Sequence, residues 1–589
     1  MKFLRNLLAT ITGLAIFFLG VLPVLLIGIG AAMSSAGENK VTEVAENSIL
    51  KIKLNKAVRE RSKKNPFEEF DLPISGNESV GLIDIKEALE NAKTDSNIEG
   101  IYLDLSMVQA GFATLHEIHQ ALNDFKNSGK FIYAYSQMLT EKSYYLAATA
   151  DSIFLHPQGF VEFNGLSANR MFYKGLFEKL GVTPKIYKVG TYKSAVEPYL
   201  LDKMSDPSRT QTEIYLNALY DFYLKNISED RGIAFDELEN ISDKMLVRKT
   251  ADAVQHHLAD RLSYYDEVQT SLKNAVAISE DEKLNFISLK KYLKAEKTVE
   301  KQYSSNKIAV IVAEGTIISG KAQEGTISGD EIAKEIRKAR ENDNIKAVIL
   351  RINSPGGSAL ASDVMWREVV LTQKVKPIIA SMSDVAASGG YYMAMACDTI
   401  IAQPNTITGS IGIFAMLFQT KGFFNDKLGI TFDEVSTGEL SNLGNPNSSF
   451  SPAQDAFFQE MINEGYENFT SKAAEGRGMA LADLKKVAEG RVWSGTDAKA
   501  NGLVDVLGSF NDAVKIASEM AELGDDYQLR YYPKQKSFLE DFIEQSESNI
   551  RTEMAKKELG TFYPLFKKMQ DLKKLEGIQA RLPYDLVIE

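Results

Sequence analysis

Two segments of the chain hold residue types that acyl-transfer chemistry needs. Ser388 stands in the run Ala-Ala-Ser-Gly-Gly-Tyr-Tyr, whose small neighbours leave its hydroxyl accessible and place the Gly389 N–H where it can donate to an oxyanion. Gly356 lies in the run Ser-Pro-Gly-Gly, which directly follows a predicted strand and favours either an oxyanion hole or a tight turn. Ser388 alone is also compatible with an ordinary helix N-cap. The two runs, one βαβ unit apart, together favour a catalytic serine.

A serine nucleophile needs a base, and the histidines lie in the wrong part of the chain to supply it. All five precede residue 258, so a Ser-His-Asp triad contained in the second half is impossible. A desolvated, neutral lysine is the alternative base. Lys193 lies among small and apolar residues in the run Val-Gly-Thr-Tyr-Lys-Ser-Ala-Val-Glu-Pro. That setting fits a base, and it also fits an exposed loop lysine.

The elements that must position these residues occur twice. The run NIEGIYLDLS begins at Asn97 and its counterpart NIKAVILRIN begins at Asn344, an offset of 247 residues. The same offset pairs Tyr144-Tyr145 with Tyr391-Tyr392, Ala147 with Ala394, Asp151 with Asp398, Ile153 with Ile400, Pro157 with Pro404 and Gly165 with Gly412. A constant offset over about 70 residues indicates two copies of one domain.

Each copy alternates short β-branched runs with helical periodicity, which predicts an α/β fold of βαβ units with mostly parallel strands. In the second copy, Asp330 is predicted to cap a helix whose buried positions are Ile332, Ile336 and Ala339. The Lys/Glu-rich end of the chain has apolar residues at helical spacing and predicts a helical tail. The predicted divisions are residues 1–45, 46–300, 305–530 and 535–589.

The repeat also predicts where the catalytic partners lie. The position equivalent to Ser388 in the first copy is Glu141, so the first copy lacks the serine. The position equivalent to Lys193 in the second copy is Leu440, or Ser441 if the neighbouring glycines are aligned, so the second copy lacks the lysine. We expect a duplicated enzyme in which each copy kept one partner and the site spans both.

The N-terminus predicts a membrane anchor. Residues 7–33 carry no charge, and 27 residues of helix span about 40 Å, against roughly 30 Å of hydrocarbon. Lys2 and Arg5 precede the segment and acidic residues follow it, so the N-terminus is expected in the cytoplasm and the body outside it. The alternative is a cleaved signal peptide with its small-residue site at residues 34–36.

These motifs together resemble the signal peptide peptidase A (protease IV) family in its long, internally duplicated form. The resemblance rests on the anchor, both repeats and the runs SPGG, ASGGYY, TGSIG and YKSAVEP. It implies two tandem ClpP/crotonase-like domains, a Ser-Lys dyad of Ser388 and Lys193, and an oxyanion hole from the N–H groups of Gly389 and Gly356. It also implies that Ser410 orients the lysine amine. A homotetramer in the bacterial inner membrane, with its catalytic body in the periplasm, is implied as well.

Composition excludes several other functions. The net charge of −12 argues against a nucleic-acid partner, and a single cysteine, Cys397, excludes intrachain disulfides and cysteine-based zinc clusters. A near match to a phosphate-binding loop at residues 315–322 lacks the final hydroxyl and no helix is expected there. His116 and His119 fit a solvated helix face better than a metal site, and Cys397 and the tyrosine pairs fit core packing. We expect no cofactor and no metal.

The function that follows is a membrane-anchored serine endopeptidase that degrades remnant signal peptides and other extended apolar peptides. Two alternatives stay open. One is a crotonase-like enzyme acting on acyl thioesters, whose oxyanion the glycine loops would bind. The other is a non-catalytic membrane scaffold in quality control.

Overall fold

The computed structural model describes residues 43–62, 79–295, 304–323, 325–534 and 577–582, with scattered positions between residues 5 and 21. Within these residues, no helix combines the length and apolar character that a membrane span requires. The predicted span at residues 7–33 lies largely outside the described positions, so it stays a prediction.

The first repeat is built on a six-stranded sheet in which every neighbouring pair is parallel. Its strands, in spatial order, are Arg261–Leu262, Ser152–Val161, Phe131–Leu139, Ile98–Asp104, Ser48–Lys53 and Asn285–Ser288. The connecting helices are Leu82–Thr94, Phe112–Lys126, Glu141–Ala147, Lys174–Leu180, Glu197–Leu200, Asp206–Arg231, Phe235–Asp243, Thr250–Gln255, Tyr265–Ala275 and Leu289–Lys294. Apolar side chains from both faces of this sheet are buried, which explains why its strands are nearly continuous hydrophobic runs.

The second repeat has an eight-stranded sheet of the same design. Its parallel strands, in spatial order, are Val506–Leu507, Thr399–Ala402, Ile378–Ala387, Ile345–Ser354, Lys307–Glu314 and Gln528–Tyr532. Ile407–Gly409 pairs with the far end of Ile378–Ala387, and Val492–Ser494 adds an antiparallel edge. The helices are Gly329–Glu341, Ala359–Gln373, Gly389–Ala394, Pro452–Arg477, Leu481–Val487, Gly495–Ala500 and Phe510–Met520.

Equivalent hydrogen bonds confirm that the two sheets are copies of one design. The hydroxyl of Tyr144 donates to the Leu258 carbonyl at 2.9 Å, and the hydroxyl of Tyr391 donates to the Leu503 carbonyl at 2.9 Å. Asp260 accepts from the N–H of the strand beginning at Ser152, and Asp505 does the same for the strand beginning at Thr399. The tyrosine pairs are therefore packing residues, and the α/β fold with mainly parallel strands is confirmed.

A third sheet joins the repeats to each other. Its strands, in order, are Thr326–Ser328, Thr316–Ile318, Gly356–Ser358, Gly577–Arg581, Phe414–Gln419 and Thr183–Lys188. The last pair is antiparallel and links the first repeat directly to the second. The phosphate-loop-like segment 315–322 thus contains the strand Thr316–Ile318, and no helix begins there. Thr183–Lys188 leads straight into the loop that carries Lys193.

A buried ion network also crosses between the repeats. The Arg351 guanidinium pairs with Glu60 at 2.8 Å and with Glu117 at 2.7 Å, both from the first repeat. It also donates to Ser381 and Ser383. Burial alone would raise the pKa of Glu117, but Arg351 and Lys86 outweigh burial and hold that pKa at about 2. The Glu117 carboxylate is therefore charged, and it binds the two repeats together.

One local prediction is wrong. Ser328, not Asp330, caps the helix Gly329–Glu341, since its hydroxyl accepts from the Glu331 N–H at 3.3 Å. Asp330 lies in the first turn instead.

The predicted helical tail lies largely outside the described residues, so it stays a prediction. The structure describes residues 577–582 of it, and there Gly577–Arg581 is a strand with a partner strand on each side.

Candidate active site

Ser388 lies at the turn between the strand Ile378–Ala387 and the helix Gly389–Ala394. Its backbone has φ +55°, a region that non-glycine residues rarely adopt, and its N–H donates to the Gly409 carbonyl at 2.8 Å. Such strain persists only where the surroundings enforce it, and it is frequent at active sites. The side chain is fully buried.

Lys193 reaches this serine from the other repeat. Its Nζ lies 2.8 Å from Ser388 Oγ, 3.0 Å from the Ser410 carbonyl oxygen and 3.1 Å from Ser410 Oγ. The lysine is 0% exposed, so the reading of Lys193 as a solvated loop residue is wrong. The loop is anchored to the second repeat because the Tyr192 N–H donates to the Glu489 carbonyl at 3.0 Å.

The environment of Lys193 favours the neutral amine. Burial lowers its pKa well below the usual 10.5. A neutral amine has a lone pair that can accept the serine proton, whereas an ammonium group has none. The contact between Nζ and Ser388 Oγ is thus suited to proton transfer.

Ser410 is held rigidly beside the amine. Its backbone also has positive φ, +50°, and its N–H donates to the Arg491 carbonyl at 2.6 Å. Both its hydroxyl and its carbonyl face Lys193 Nζ, which fixes the position of the amine without adding a charge. Gly490 packs against Lys193, and a Cβ added there would lie 2.7 Å from the Lys193 Cβ.

The glycine loop lies against the start of the serine helix. Gly356 has φ +94°, and a Cβ added to it would stand 2.7 Å from the Gly389 nitrogen. Its N–H donates to Ser354 Oγ at 3.2 Å. A Cβ on Gly389 would lie 2.5 Å from Ser362 Oγ. The two predicted oxyanion donors are thus neighbours.

Sequence reasoning missed three residues that support the site. Ser354 and Ser362 are buried beside the glycines, and Gly490 gives Lys193 its space. Ser354 directly precedes the Pro-Gly-Gly run and Ser362 follows it by five positions, so their closeness to that run was a usable signal. Gly490 lies in the run Ala-Glu-Gly-Arg, where nothing marks it as part of the site.

In the first repeat, the position equivalent to Ser388 is occupied by the carboxylate residue Glu141. Glu141 is buried, and its Oε1 accepts from the N–H groups of Asn164 and Gly165 at 2.7 and 2.8 Å. Burial raises the pKa of Glu141 to about 7. The first repeat therefore holds a backbone donor pair filled by its own side chain.

The remaining sequence candidates are structural. His116 and His119 are buried, so the prediction of a solvated helix face is wrong. His119 Nε2 lies 2.5 Å from Asp230 Oδ2, and His116 Nδ1 lies 2.8 Å from the Tyr145 hydroxyl. The helix Asp206–Arg231 covers that face. In the part of the chain that the structure describes, no group of His, Cys, Asp or Glu side chains could hold a metal ion.

A buried serine next to a buried lysine, with glycine N–H groups nearby, is the arrangement of a serine hydrolase that uses lysine as its base. The family model for peptidase family S49 matches the chain twice, at residues 124–279 and 371–524, an offset of 247 residues at their starts. The chain belongs to peptidase family S49, in a duplicated form, and is a serine peptidase.

Curated relatives agree with this assignment. Protease 4 of Haemophilus influenzae is 39% identical over 76% of this chain and 74% of its own length. Protease 4 of Salmonella typhi is 35% identical, covering 86% and 79%. The chloroplastic serine protease SPPA of Arabidopsis thaliana is 33% identical, covering 86% and 74%. These names support peptide substrates and the signal peptide peptidase A (protease IV) resemblance.

A solved ClpP1 mutant from Listeria monocytogenes aligns with 35% of this chain and 94% of its own length, at 16% identity and a TM-score of 0.24. A likeness at that score supports no argument about the fold. The ClpP/crotonase-like assignment of each repeat therefore stays a prediction.

Proposed function

We propose that Ser388 is the nucleophile and Lys193 the general base of a peptide-bond hydrolysis. The observation that carries the proposal is the buried 2.8 Å contact between Lys193 Nζ and Ser388 Oγ. Ser410 orients the amine, and the N–H groups of Gly389 and Gly356 receive the oxyanion.

Acylation follows from these positions. Ser388 Oγ attacks the scissile carbonyl carbon while its proton passes to the lone pair of Lys193 Nζ. The carbonyl oxygen becomes an oxyanion beside Gly389 and Gly356. Because it is charged, it competes well with the neutral Ser354 hydroxyl for the Gly356 N–H. Collapse breaks the C–N bond, and the leaving amine takes the proton from Lys193. The product is an acyl ester on Ser388.

Deacylation repeats the sequence with water. Neutral Lys193 accepts a proton from a water molecule, the hydroxide attacks the ester carbon, and the oxyanion forms again at the same donors. Collapse breaks the ester bond, and Ser388 Oγ recovers its proton from Lys193. No net proton is gained or lost by the two side chains, so a neutral lysine suffices for both halves of the reaction.

The resemblance and the uncharged segment 7–33 support further parts of the proposal. The protein is anchored by one N-terminal span in the bacterial inner membrane, with the N-terminus cytoplasmic and the body periplasmic. It assembles as a homotetramer and degrades remnant signal peptides. Its domains keep the predicted divisions 46–300 and 305–530. N-terminal sequencing of membrane-purified protein tests the anchor: a start near residue 1 supports it, and a start at residue 37 supports a cleaved signal peptide.

The two alternative functions, a thioester enzyme and a non-catalytic scaffold, are less well supported. Relatives that share most of the chain are named proteases, which disfavours a thioester enzyme. A scaffold without catalysis would not require a buried lysine, whose pKa burial lowers, beside a serine with a strained backbone.

The test is active-site labelling combined with one substitution. A serine-reactive peptidyl phosphonate should label wild-type protein at Ser388. Ser388→Ala should lose labelling and about 10⁴-fold or more in kcat, because removing the nucleophile of such a unit leaves only binding and oxyanion effects. Ser383→Ala, also buried and five residues earlier, is the matched control and should keep its label. Near-wild-type hydrolysis by Ser388→Ala would overturn the assignment.

A further inference from the structure

The strand Gly577–Arg581 lies directly over the proposed oxyanion donors. A Cβ placed on Gly356 would stand 2.2 Å from the carbonyl oxygen of Ala580, and one placed on Gly389 would stand 2.9 Å from the same oxygen. The peptide group of Ala580 therefore covers the place at which a substrate carbonyl must be received.

This strand also has the backbone geometry of a bound peptide. It pairs antiparallel with Gly356–Ser358 on one side and antiparallel with Phe414–Gln419 on the other. The Leu582 N–H continues the pairing by donating to the Pro355 carbonyl at 2.7 Å. Neighbouring strands are about 4.8 Å apart, so its two partners frame a slot that is one extended strand wide. Such a slot binds peptides by strand addition.

The side chains indicate what the slot prefers. Ala580 and Leu582 are two positions apart, so they point to the same face of the strand, and both are buried. Leu582 packs within the first core with Ala387, and Ala580 within the second core with Tyr391. A small residue followed at the second position by an aliphatic one is the pattern that these contacts accept.

We propose that residues 577–582 are an internal competitor that occupies the peptide-binding groove, so that a substrate must displace them. This rests on the proposed function, since it takes Gly356 and Gly389 as the oxyanion donors. The strand is covalently attached, with 42 residues between Lys534 and Gly577, and tethered segments reach effective concentrations on the order of millimolar. Substrates that match the small-then-aliphatic pattern compete best.

Competition predicts a specific kinetic signature. Because Ala580 is fully buried, the indole of Ala580→Trp cannot be accommodated there and should release the strand, which lowers KM by tenfold or more and leaves kcat within twofold. Leu582→Asp, which places a charge in an apolar pocket, should do the same. Ala251→Trp, an exposed alanine on the helix Thr250–Gln255, is the matched control and should leave both constants unchanged. A strand that merely completes the sheet predicts lower kcat in both tail variants, and that result would overturn the proposal.

A binding measurement separates this proposal from the catalytic one. The synthetic peptide Gly-Ile-Gln-Ala-Arg-Leu, copied from residues 577–582, should inhibit Ala580→Trp with a Ki at least tenfold below that for wild type. In Ser388→Ala protein, which need not react, a saturating amount of this peptide should speed amide hydrogen exchange at residues 579–581. Unchanged exchange at residues 579–581 would refute the internal competitor, even if Ser388→Ala is inactive. Activity in Ser388→Ala would refute the Ser-Lys dyad and would leave the exchange result unaffected.

Discussion

Lys193 Nζ and Ser388 Oγ lie 2.8 Å apart although 195 positions separate the two residues in the chain. The lysine comes from a loop of the first repeat and the serine from a strand end of the second. Each repeat has lost the other partner, because Glu141 stands where the first repeat would need a serine. The pair therefore forms only when the two repeats are packed together.

The pH dependence of activity should report the ionisation of Lys193. Its pKa is lowered by burial, and the base must be unprotonated, so kcat/KM should rise with pH through that pKa and level off below pH 10.5. Lys193→Arg should lose about 10³-fold or more, since a guanidinium stays protonated. The exposed Lys203→Arg is the control and should behave as wild type. Strong activity in Lys193→Arg would exclude a lysine base.

Gly490→Ala should impair catalysis by moving the lysine. Its new Cβ would lie 2.7 Å from Lys193 Cβ and 2.8 Å from the backbone nitrogen of Lys193. We expect kcat to fall about 100-fold with little change in KM, since small misplacements of a base cost that much. Gly502→Ala is the control. Gly502 has φ +78°, close to the +76° of Gly490, but the atom nearest to a Cβ added at Gly502 is 3.7 Å away. Equal losses in the two variants would mean that backbone strain, not the lysine contact, is responsible.

Arg351→Met should destabilise the whole protein rather than alter the chemistry directly. It leaves Glu60 and Glu117 buried without their cation, and breaking such a pair costs about 3–5 kcal/mol. Urea unfolding measures the loss. Arg337→Met, which breaks a pair formed by a half-exposed arginine, should cost far less. Adding Glu60→Gln and Glu117→Gln to Arg351→Met should recover part of the lost stability, because both uncompensated carboxylates are then removed. If nothing is recovered, uncompensated charge is not the cause of the loss.

Glu141 should make stability depend on pH. Its pKa is about 7 when folded against 4.5 normally, so the folded state holds a proton that the unfolded state has released. The resulting stability is complete below pH 4.5 and is lost as pH rises through 7, by roughly 3 kcal/mol at 1.36 kcal/mol per pKa unit. The free energy of unfolding of Glu141→Gln, measured between pH 4 and 8.5, should lack this component. Parallel pH curves for wild type and variant would contradict it.

Several features of the site were predictable because their signals are local or periodic. The 247-residue offset predicts the two equivalent sheets, and the runs around Ser388 and Lys193 identify residues that the structure brings together. The repeat even predicts that their contact crosses between copies. These inferences need only spacing and residue type.

Other features depend on partners far away in the chain. The strand Gly577–Arg581 forms between two partner strands, Gly356–Ser358 and Phe414–Gln419. Neither partner is near it in sequence. His119 is buried because Asp230 closes over it from a helix 111 positions later. Ser328 replaces Asp330 as the helix cap because the preceding strand Thr326–Ser328 ends there. Periodicity within one window carries none of this information.

The order in which the chain is synthesised determines when the split site is complete. Under the proposed dyad, the base is made first, the nucleophile 195 residues later, and the Arg491 carbonyl that anchors Ser410 later still. A growing chain therefore has no complete dyad until residue 388 has been made, and premature termination before that residue releases a product without the nucleophile.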